Sequence, residues 1–387
     1  MVNMDMLLWV CYFSIAGVSA ACFYVVVPLT LNIILHATLL IIIGSINSVK
    51  FMIRDKISRT EFDKDEVIVE SVGMKEAYKF PIIGSVLLFT LYVLVKFVGK
   101  EAVSMFLIVY FMVIGMESFK GILNNYTTIG KTKATDPNSL KAPLILKGVT
   151  VLGYDLSISL FDIICLACSI ACAMFYVITK HWLTNNILGI IFTLFALENM
   201  FIGSFKVGFM LLWGLFFYDI FWVFGTDVME TVAKSVDGPI KLLFPKKVVV
   251  SEPGDMSLLG LGDIVIPGIF IALCLRYDFI TKFNKKTKDR SFENVNKIFN
   301  SISKPYFWSC IFGYVLGLVT TILIMLIFKR GQPALLYLVP ACCGSVLICA
   351  FLRKEVKKTY KYDEDKELET MVEETKRILK ESTKKTE

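Results

Sequence analysis

Charged side chains are scarce in this sequence. Only 19% of its 387 residues are Asp, Glu, Lys or Arg, whereas 56% are hydrophobic. The mean hydropathy is +0.65. Soluble domains carry about a quarter charged residues, so this composition excludes an ordinary soluble domain. The sequence therefore predicts a membrane protein.

The sequence also lacks the cysteine patterns and the basic patches that would indicate a disulfide framework, a metal site or a nucleic-acid site. All ten cysteines lie in apolar runs, so the hydrophilic segments offer neither a disulfide framework nor a zinc ribbon. We expect no metal and no other cofactor. The net charge of +7 comes from basic residues in short segments between apolar runs, without interleaved aromatics. Nucleic acid is therefore not an expected partner, whereas the lipid bilayer is.

Apolar runs of about 20 residues, the length that spans a bilayer as a helix, occur nine times. The pattern has no two-residue alternation of the kind that marks a β-barrel. The predicted fold is an all-α, polytopic bundle of nine transmembrane helices. The nine predicted spans are residues 29–49, 80–98, 102–121, 156–179, 187–204, 207–226, 258–275, 305–328 and 333–351.

The orientation of the bundle follows from its positive charges, which cells retain on the cytosolic side. The connections after odd-numbered spans, together with the C-terminal tail, hold 32 of the 41 Lys and Arg residues when Arg276 is assigned to the connection after span seven. The even-numbered connections hold eight. This asymmetry predicts a cytosolic C-terminus.

The first 27 residues form a separate apolar segment that is a cleaved signal peptide, an extra helix or a helix continuing past Pro28. Since span one begins on the non-cytosolic side, we favour a cleaved signal over an uncleaved helix entering from the cytosol. The tail ends with Lys384 and Lys385 at the fourth and third positions from the end, a dilysine pattern for retrieval to the endoplasmic reticulum. The predicted location is the endoplasmic reticulum membrane.

Two carboxylates stand alone in adjacent predicted spans. Asp219 lies in "LLWGLFFYDIFWVFGT" and Asp263 in "LLGLGDIVIPGIFIALCL". An unpaired charge costs several kcal/mol in an apolar medium, so each acid needs a partner or a function. In antiparallel helices that rise 1.5 Å per residue, the two acids would lie about 10 Å and about 8 Å from their shared connection. Their depths therefore match.

Two carboxyl groups that meet in a low dielectric cannot both ionise, so they share a proton. This state suits aspartic protease chemistry, in which one member activates a water and the other polarises the substrate carbonyl. Two other interpretations remain open at this point: structural acceptors between helices, or the ion site of a proton-coupled transporter.

Three motifs resemble, in order and spacing, the signatures of the GxGD intramembrane aspartyl proteases. They are "YD" at 218–219, "GLGD" at 260–263 and "QPALLYLVP" at 332–340. The flanking strings "YDIFWVFGT", "PIKLLFP" and "LGLGDIVIPGIFIAL" are similar to the signal peptide peptidase branch. The resemblance implies a presenilin-like nine-helix bundle in which Asp219 and Asp263 are catalytic. It implies site-shaping by Tyr218, Gly260, Leu261 and Gly262, and substrate positioning by Gln332, Pro333, Ala334 and Leu335.

The connection 227–257 is placed on the non-cytosolic side, unlike the long cytosolic insertion of presenilins. This placement favours the signal peptide peptidase branch. The implied substrates are transmembrane peptides, chiefly signal peptides left by signal peptidase and other type II-oriented segments. Candidate partners are a second copy of the chain and the endoplasmic reticulum degradation machinery. The alternative function is a non-proteolytic adaptor in membrane-protein quality control.

The expected organisation has four parts. Residues 1–27 are the apolar N-terminal segment, 28–204 form spans one to five, and 205–352 form the catalytic spans six to nine. Residues 353–387 are predicted to be a charged, solvated cytosolic tail. Apolar positions at 228–236 predict a short amphipathic segment along the membrane surface.

Overall fold

The computed structural model describes residues 3–25, 27–61, 71–107, 109–110, 115, 144–151, 154–226, 228–235, 238–247, 256–286, 298–328 and 332–370. The chain is mainly helical. Its helices are α1 (Met4–Ala21), α2 (Leu29–Glu61), α3 (Met74–Phe97), α4 (Leu160–Thr179), α5 (Trp182–Asn199), α6 (Phe205–Phe224), α7 (Val228–Ser235), α8 (Gly262–Lys286), α9 (Pro305–Phe328), α10 (Leu335–Leu352) and α11 (Val356–Lys361).

Within the described residues, seven helices are long and apolar enough to cross a membrane: α1, α2, α3, α6, α8, α9 and α10. The prediction of a polytopic helical membrane protein is therefore confirmed. The third predicted span, 102–121, lies largely outside the described residues, so the count of nine stays a prediction.

Two antiparallel hairpins interrupt the helices, and the sequence did not predict them. Strand β1 (Leu144–Val151) pairs with β2 (Tyr154–Ser159), and β3 (Lys241–Pro245) pairs with β4 (Met256–Gly260). The predicted spans four and seven are consequently wrong at their starts, because 156–159 and 258–260 are extended. Short apolar runs satisfy a helix window and a strand equally well, which explains both errors.

Close helix packing depends on small residues at the contacts. Leu197 of α5 fills the space left by Gly44 of α2 and Gly268 of α8, where an added Cβ would lie 2.5 Å and 2.6 Å from its methyl groups. Small residues let transmembrane helices approach closely and gain van der Waals contact. The core of the bundle therefore brings α8, the helix that contains Asp263, against α2 and α5.

One face of the bundle joins the segment before α3, the segment after α5 and the segment after α11. Val72 bridges to Ile202, and the Glu364 amide donates to the Gly203 carbonyl at 2.7 Å. The guanidinium of Arg276 contacts Glu364 at 2.6 Å. These contacts place on one side the segments that the charge count assigned to the cytosol. Arg276 itself lies within α8 and is buried, so its assignment to a solvated connection is wrong.

The segment after α10 is not the solvated tail that we expected over its described length. Tyr362, Glu364 and Leu368 are buried against the bundle. Residues 371–387, with the predicted dilysine pattern, lie outside the described residues. The amphipathic segment forms α7, and Val232 packs with Val103 and neighbouring apolar residues of α3. Its position along the membrane surface stays a prediction.

Helix α1 packs antiparallel on α2. Asp5 contacts Lys50 at 2.5 Å and accepts a hydrogen bond from Asn300 at 2.9 Å, whereas Ser19 near the other end contacts His36 at 3.1 Å. Helix α1 therefore begins on the side of the bundle where Lys50 and Asn300 lie, and it ends on the opposite side, where α2 begins. The charge count therefore does not disfavour an uncleaved α1, and that step of our sequence argument is wrong.

Candidate active site

Asp219 is positioned by α6, whose start is fixed by a Ser204 cap that accepts a hydrogen bond from the Val207 amide at 3.3 Å. The helix runs without interruption to Phe224, so Asp219 lies in its last third, inside the bundle. The Asp219 side chain is buried. Tyr218 points elsewhere, towards α3, where an added Cβ on Gly84 would lie 3.6 Å from its ring.

Asp263 lies at the start of α8, in the first helical turn. Strand β4 leads directly into this turn, and Gly260 is its last residue. A Cβ placed on Gly260 would lie 3.3 Å from Asp263 Oδ2, which is tighter than an ordinary contact. Gly260 therefore leaves room for the carboxyl group. Gly262, by contrast, would bring a Cβ no closer than 3.8 Å to Ile266.

The backbone around the second acid is tied to β3. The Leu261 amide donates to the Ile240 carbonyl at 3.0 Å, and the Leu261 carbonyl accepts from Val265 at 2.8 Å. Leu261 is also buried. It therefore joins the hairpin to the first turn of α8 and fixes the point from which Asp263 projects.

Asp219 and Asp263 lie on neighbouring helices. Helix α6 packs against α8, and the Asp219 charge acts electrostatically on the Asp263 carboxyl group. The depth estimate used a helical path from Leu258, but residues 256–260 are a strand, so that step was wrong. The two acids therefore lie on packed helices, and their role as a catalytic pair stays a prediction.

The start of α10 completes the site. The Leu335 amide donates to Asp219 Oδ2 at 3.3 Å. Pro333, Ala334 and Leu335 are buried, and Gln332 is partly exposed. The first amides of a helix have no partner within the helix, so Leu335 is free to serve the carboxyl group. Pro333 has no amide hydrogen, and regular α-helix begins only at Leu335.

Sequence reasoning missed three residues around this site. Tyr314 of α9 is buried, and its hydroxyl donates to the Asp263 backbone carbonyl at 3.3 Å. Asn185 and Asn186 of α5 bind the backbone of β3. A tyrosine in an apolar span gives no distinct signal, whereas two adjacent amides near the start of an apolar run are a signal of buried polar contacts.

A multi-pass helical protein with one acid on each of two packed membrane helices has the layout of an intramembrane protease. The family model described as signal peptide peptidase matches residues 63–366, which is most of the chain. The chain belongs to the signal peptide peptidase family.

Curated relatives agree with this assignment. The chain is 37% identical over 340 residues to a signal peptide peptidase of Mus musculus, covering 86% of this chain and 82% of the relative. It is 38% identical over 302 residues to a signal peptide peptidase of Homo sapiens, covering 76% and 74%. A probable intramembrane protease of Schizosaccharomyces pombe is 34% identical over 299 residues, covering 77% and 86%. The chain is therefore an intramembrane protease.

Proposed function

We propose that this protein hydrolyses peptide bonds inside transmembrane helices by aspartic protease chemistry, with Asp219 and Asp263 as the catalytic pair. The observation that supports the proposal is that the helix of Asp219 packs against the helix of Asp263, with the Leu335 amide at the start of α10 bound to Asp219. Together the two acids form an acid and base pair.

The roles of the two acids follow from their surroundings. Asp219 accepts the Leu335 amide at 3.3 Å, and the amino end of α10 favours negative charge nearby. We assign Asp219 as the ionised member that takes a proton from the attacking water. Asp263 is the protonated member, which polarises the substrate carbonyl and then protonates the leaving nitrogen.

A substrate helix must unwind before its peptide bonds can be cut, and the freed backbone groups need partners inside the bilayer. The non-helical stretch at Pro333 and Ala334 supplies irregular backbone beside Asp219. Strand β4 leads into Asp263, and among the described residues its outer edge pairs with no other strand. An extended substrate can therefore bind backbone groups on both sides of the pair.

The substrates in this proposal are signal peptides left by signal peptidase and other type II-oriented segments, cut in the endoplasmic reticulum membrane. Lys384 and Lys385 serve as the retrieval signal on the cytosolic side. A second copy of the chain and the degradation machinery of the same membrane remain proposed partners.

The test is cleavage of a labelled signal-peptide-like helix by purified protein in detergent. We compare wild type with Asp219→Asn and Asp263→Asn, which keep the shape of each side chain. The control is Asp363→Asn, the same change at a partly exposed position on the segment after α11. Wild type and control should cut the helix, and neither active-site variant should.

Cleavage retained by either active-site variant would rule out the pair. If folded wild type fails to cut a substrate that a known intramembrane protease cuts, the non-proteolytic adaptor becomes the better interpretation.

A further inference from the structure

Two adjacent amide side chains lie against the hairpin that leads into Asp263. Asn185 and Asn186 occupy the first turn of α5, and both are buried. Buried amides in a membrane bundle are costly unless they are hydrogen-bonded, so their partners indicate why they are there.

Asn186 pairs with Leu243 as a neighbouring strand would. Its Nδ2 donates to the Leu243 carbonyl at 2.7 Å, and its Oδ1 accepts the Leu243 amide at 2.7 Å. The side-chain amide has the same donor and acceptor as a peptide group. Both outward-facing backbone groups of this β3 residue are therefore satisfied by one side chain.

Asn185 binds the carbonyl group of the next outward-facing residue, Lys241. Its Nδ2 donates to the Lys241 carbonyl at 2.6 Å, and also to Asn186 Oδ1 at 3.4 Å. Residues 241 and 243 are two apart, so both face the same edge of β3. Gly189, one turn later in α5, lies so close that an added Cβ would be 3.1 Å from Leu242.

These contacts continue through the hairpin to the acid. Lys241 lies opposite Gly260 and Leu243 opposite Leu258 in the register of β3 and β4. Gly260 in turn faces the Asp263 carboxyl group. A shift of β3 therefore moves the strand that sets the position of Asp263.

We propose that Asn185 and Asn186 are positioning residues for the reaction: they fix the β3–β4 hairpin on α5 and thereby hold Asp263 opposite Asp219. They also close the outer edge of β3, which leaves β4 as the open edge of the hairpin among the strands that the structure describes. This inference rests on the proposed function, because it assigns them a role in the same site.

The test compares Asn186→Leu and Asn185→Ala with Asn199→Leu, each purified in detergent. Asn199 is the matched control, since its Nδ2 donates to the Phe195 carbonyl of its own helix at 2.8 Å. For each variant we measure kcat, KM and thermal stability, and identify the cleavage products by mass spectrometry. Per folded molecule, kcat should fall about 10-fold to 100-fold in Asn186→Leu and about fivefold in Asn185→Ala.

The product distribution distinguishes positioning from mere stabilisation. Both variants should cut at additional peptide bonds, because a displaced Asp263 meets the substrate in a different register, while Asn199→Leu should give the wild-type products. Folded Asn186→Leu with wild-type kcat and products would overturn the proposal. If Asn186→Leu does not fold, the same comparison is made with Asn185→Ala, and wild-type kcat and products in that variant would overturn the proposal. Absence of cleavage by wild type as well would contradict the proposed function instead.

Discussion

The Leu335 amide donates to Asp219 Oδ2 at 3.3 Å, which joins the first turn of α10 to the first acid of the proposed pair. This contact gives the proline-containing motif a physical role. Pro333 and Ala334 of the motif precede the helix, and Leu335 is its first residue. The Leu335 amide has no partner within the helix, and it is this amide that binds Asp219. Anything that displaces α10 should therefore disturb Asp219.

Helix α10 is held by close contact with α9, and this contact can be tested. A Cβ on Gly313 would lie 2.6 Å from the Ala341 carbonyl oxygen, so Gly313→Ala should push the helices apart. We expect a loss of about 1–3 kcal/mol in stability and a clear loss of cleavage. Thermal unfolding and a peptide cleavage assay measure the two effects.

The control for this prediction is Gly344→Ala on α10, where an added Cβ meets nothing within 4 Å. This variant should be active and should gain up to about 1 kcal/mol, because Ala favours helix over Gly. Equal behaviour of the two variants would contradict the view that the α9–α10 contact positions Leu335.

The two glycines of the second motif should differ in their effect on catalysis. Gly260→Ala places a Cβ 3.3 Å from Asp263 Oδ2, whereas Gly262→Ala places one 3.8 Å from Ile266. We expect cleavage to fall about tenfold in Gly260→Ala and to stay near wild type in Gly262→Ala. The measurement is kcat per folded molecule, and a greater loss in Gly262→Ala would show that the motif works by another route.

Long apolar runs made most of the bundle predictable. Span eight, at 305–328, coincides with α9, because Pro305 starts the helix and the run is uninterrupted. Asp219 and Asp263 could also be singled out from the sequence as candidate site residues, since an isolated acid in such a run has few explanations.

The hairpin before Asp263 could not be predicted in the same way. Residues 256–260 read "MSLLG", which fits a helix as well as a strand, and the choice depends on a partner at 241–245. The docking of Glu364 was hidden for a similar reason. The charges of the tail predict solvent exposure, because the sequence does not show that the buried Arg276 pairs with Glu364.

The Arg276–Glu364 ion pair should be strongly coupled. Their side chains are 0% and 1% exposed and 2.6 Å apart, and Ser48 accepts a further hydrogen bond from Arg276 at 2.8 Å. Removing one partner leaves a buried charge, so Glu364→Leu should cost about 3–5 kcal/mol. The double variant Arg276→Met with Glu364→Leu should recover most of that loss.

Thermal unfolding of both single variants and the double variant gives the coupling energy. The control is Glu369→Leu on the same segment, where the side chain is exposed and the change should be small. Additive losses in the double variant would contradict a coupled pair and would indicate that the segment after α11 is held by its apolar residues alone.

We infer that α1 stays attached to the bundle as a helix of the working enzyme. Leu8 is 2% exposed and packs in the main core, whereas Met6 on the same helix is 61% exposed. If α1 is retained, Leu8→Ala should lower stability by about 2 kcal/mol and Met6→Ala should leave it unchanged. If the segment is cleaved, Leu8→Ala should leave stability unchanged as well. The intact mass of the purified protein provides an independent measurement, and a mass that lacks residues 1–27, together with equal melting temperatures for both variants, would show that α1 is a signal peptide.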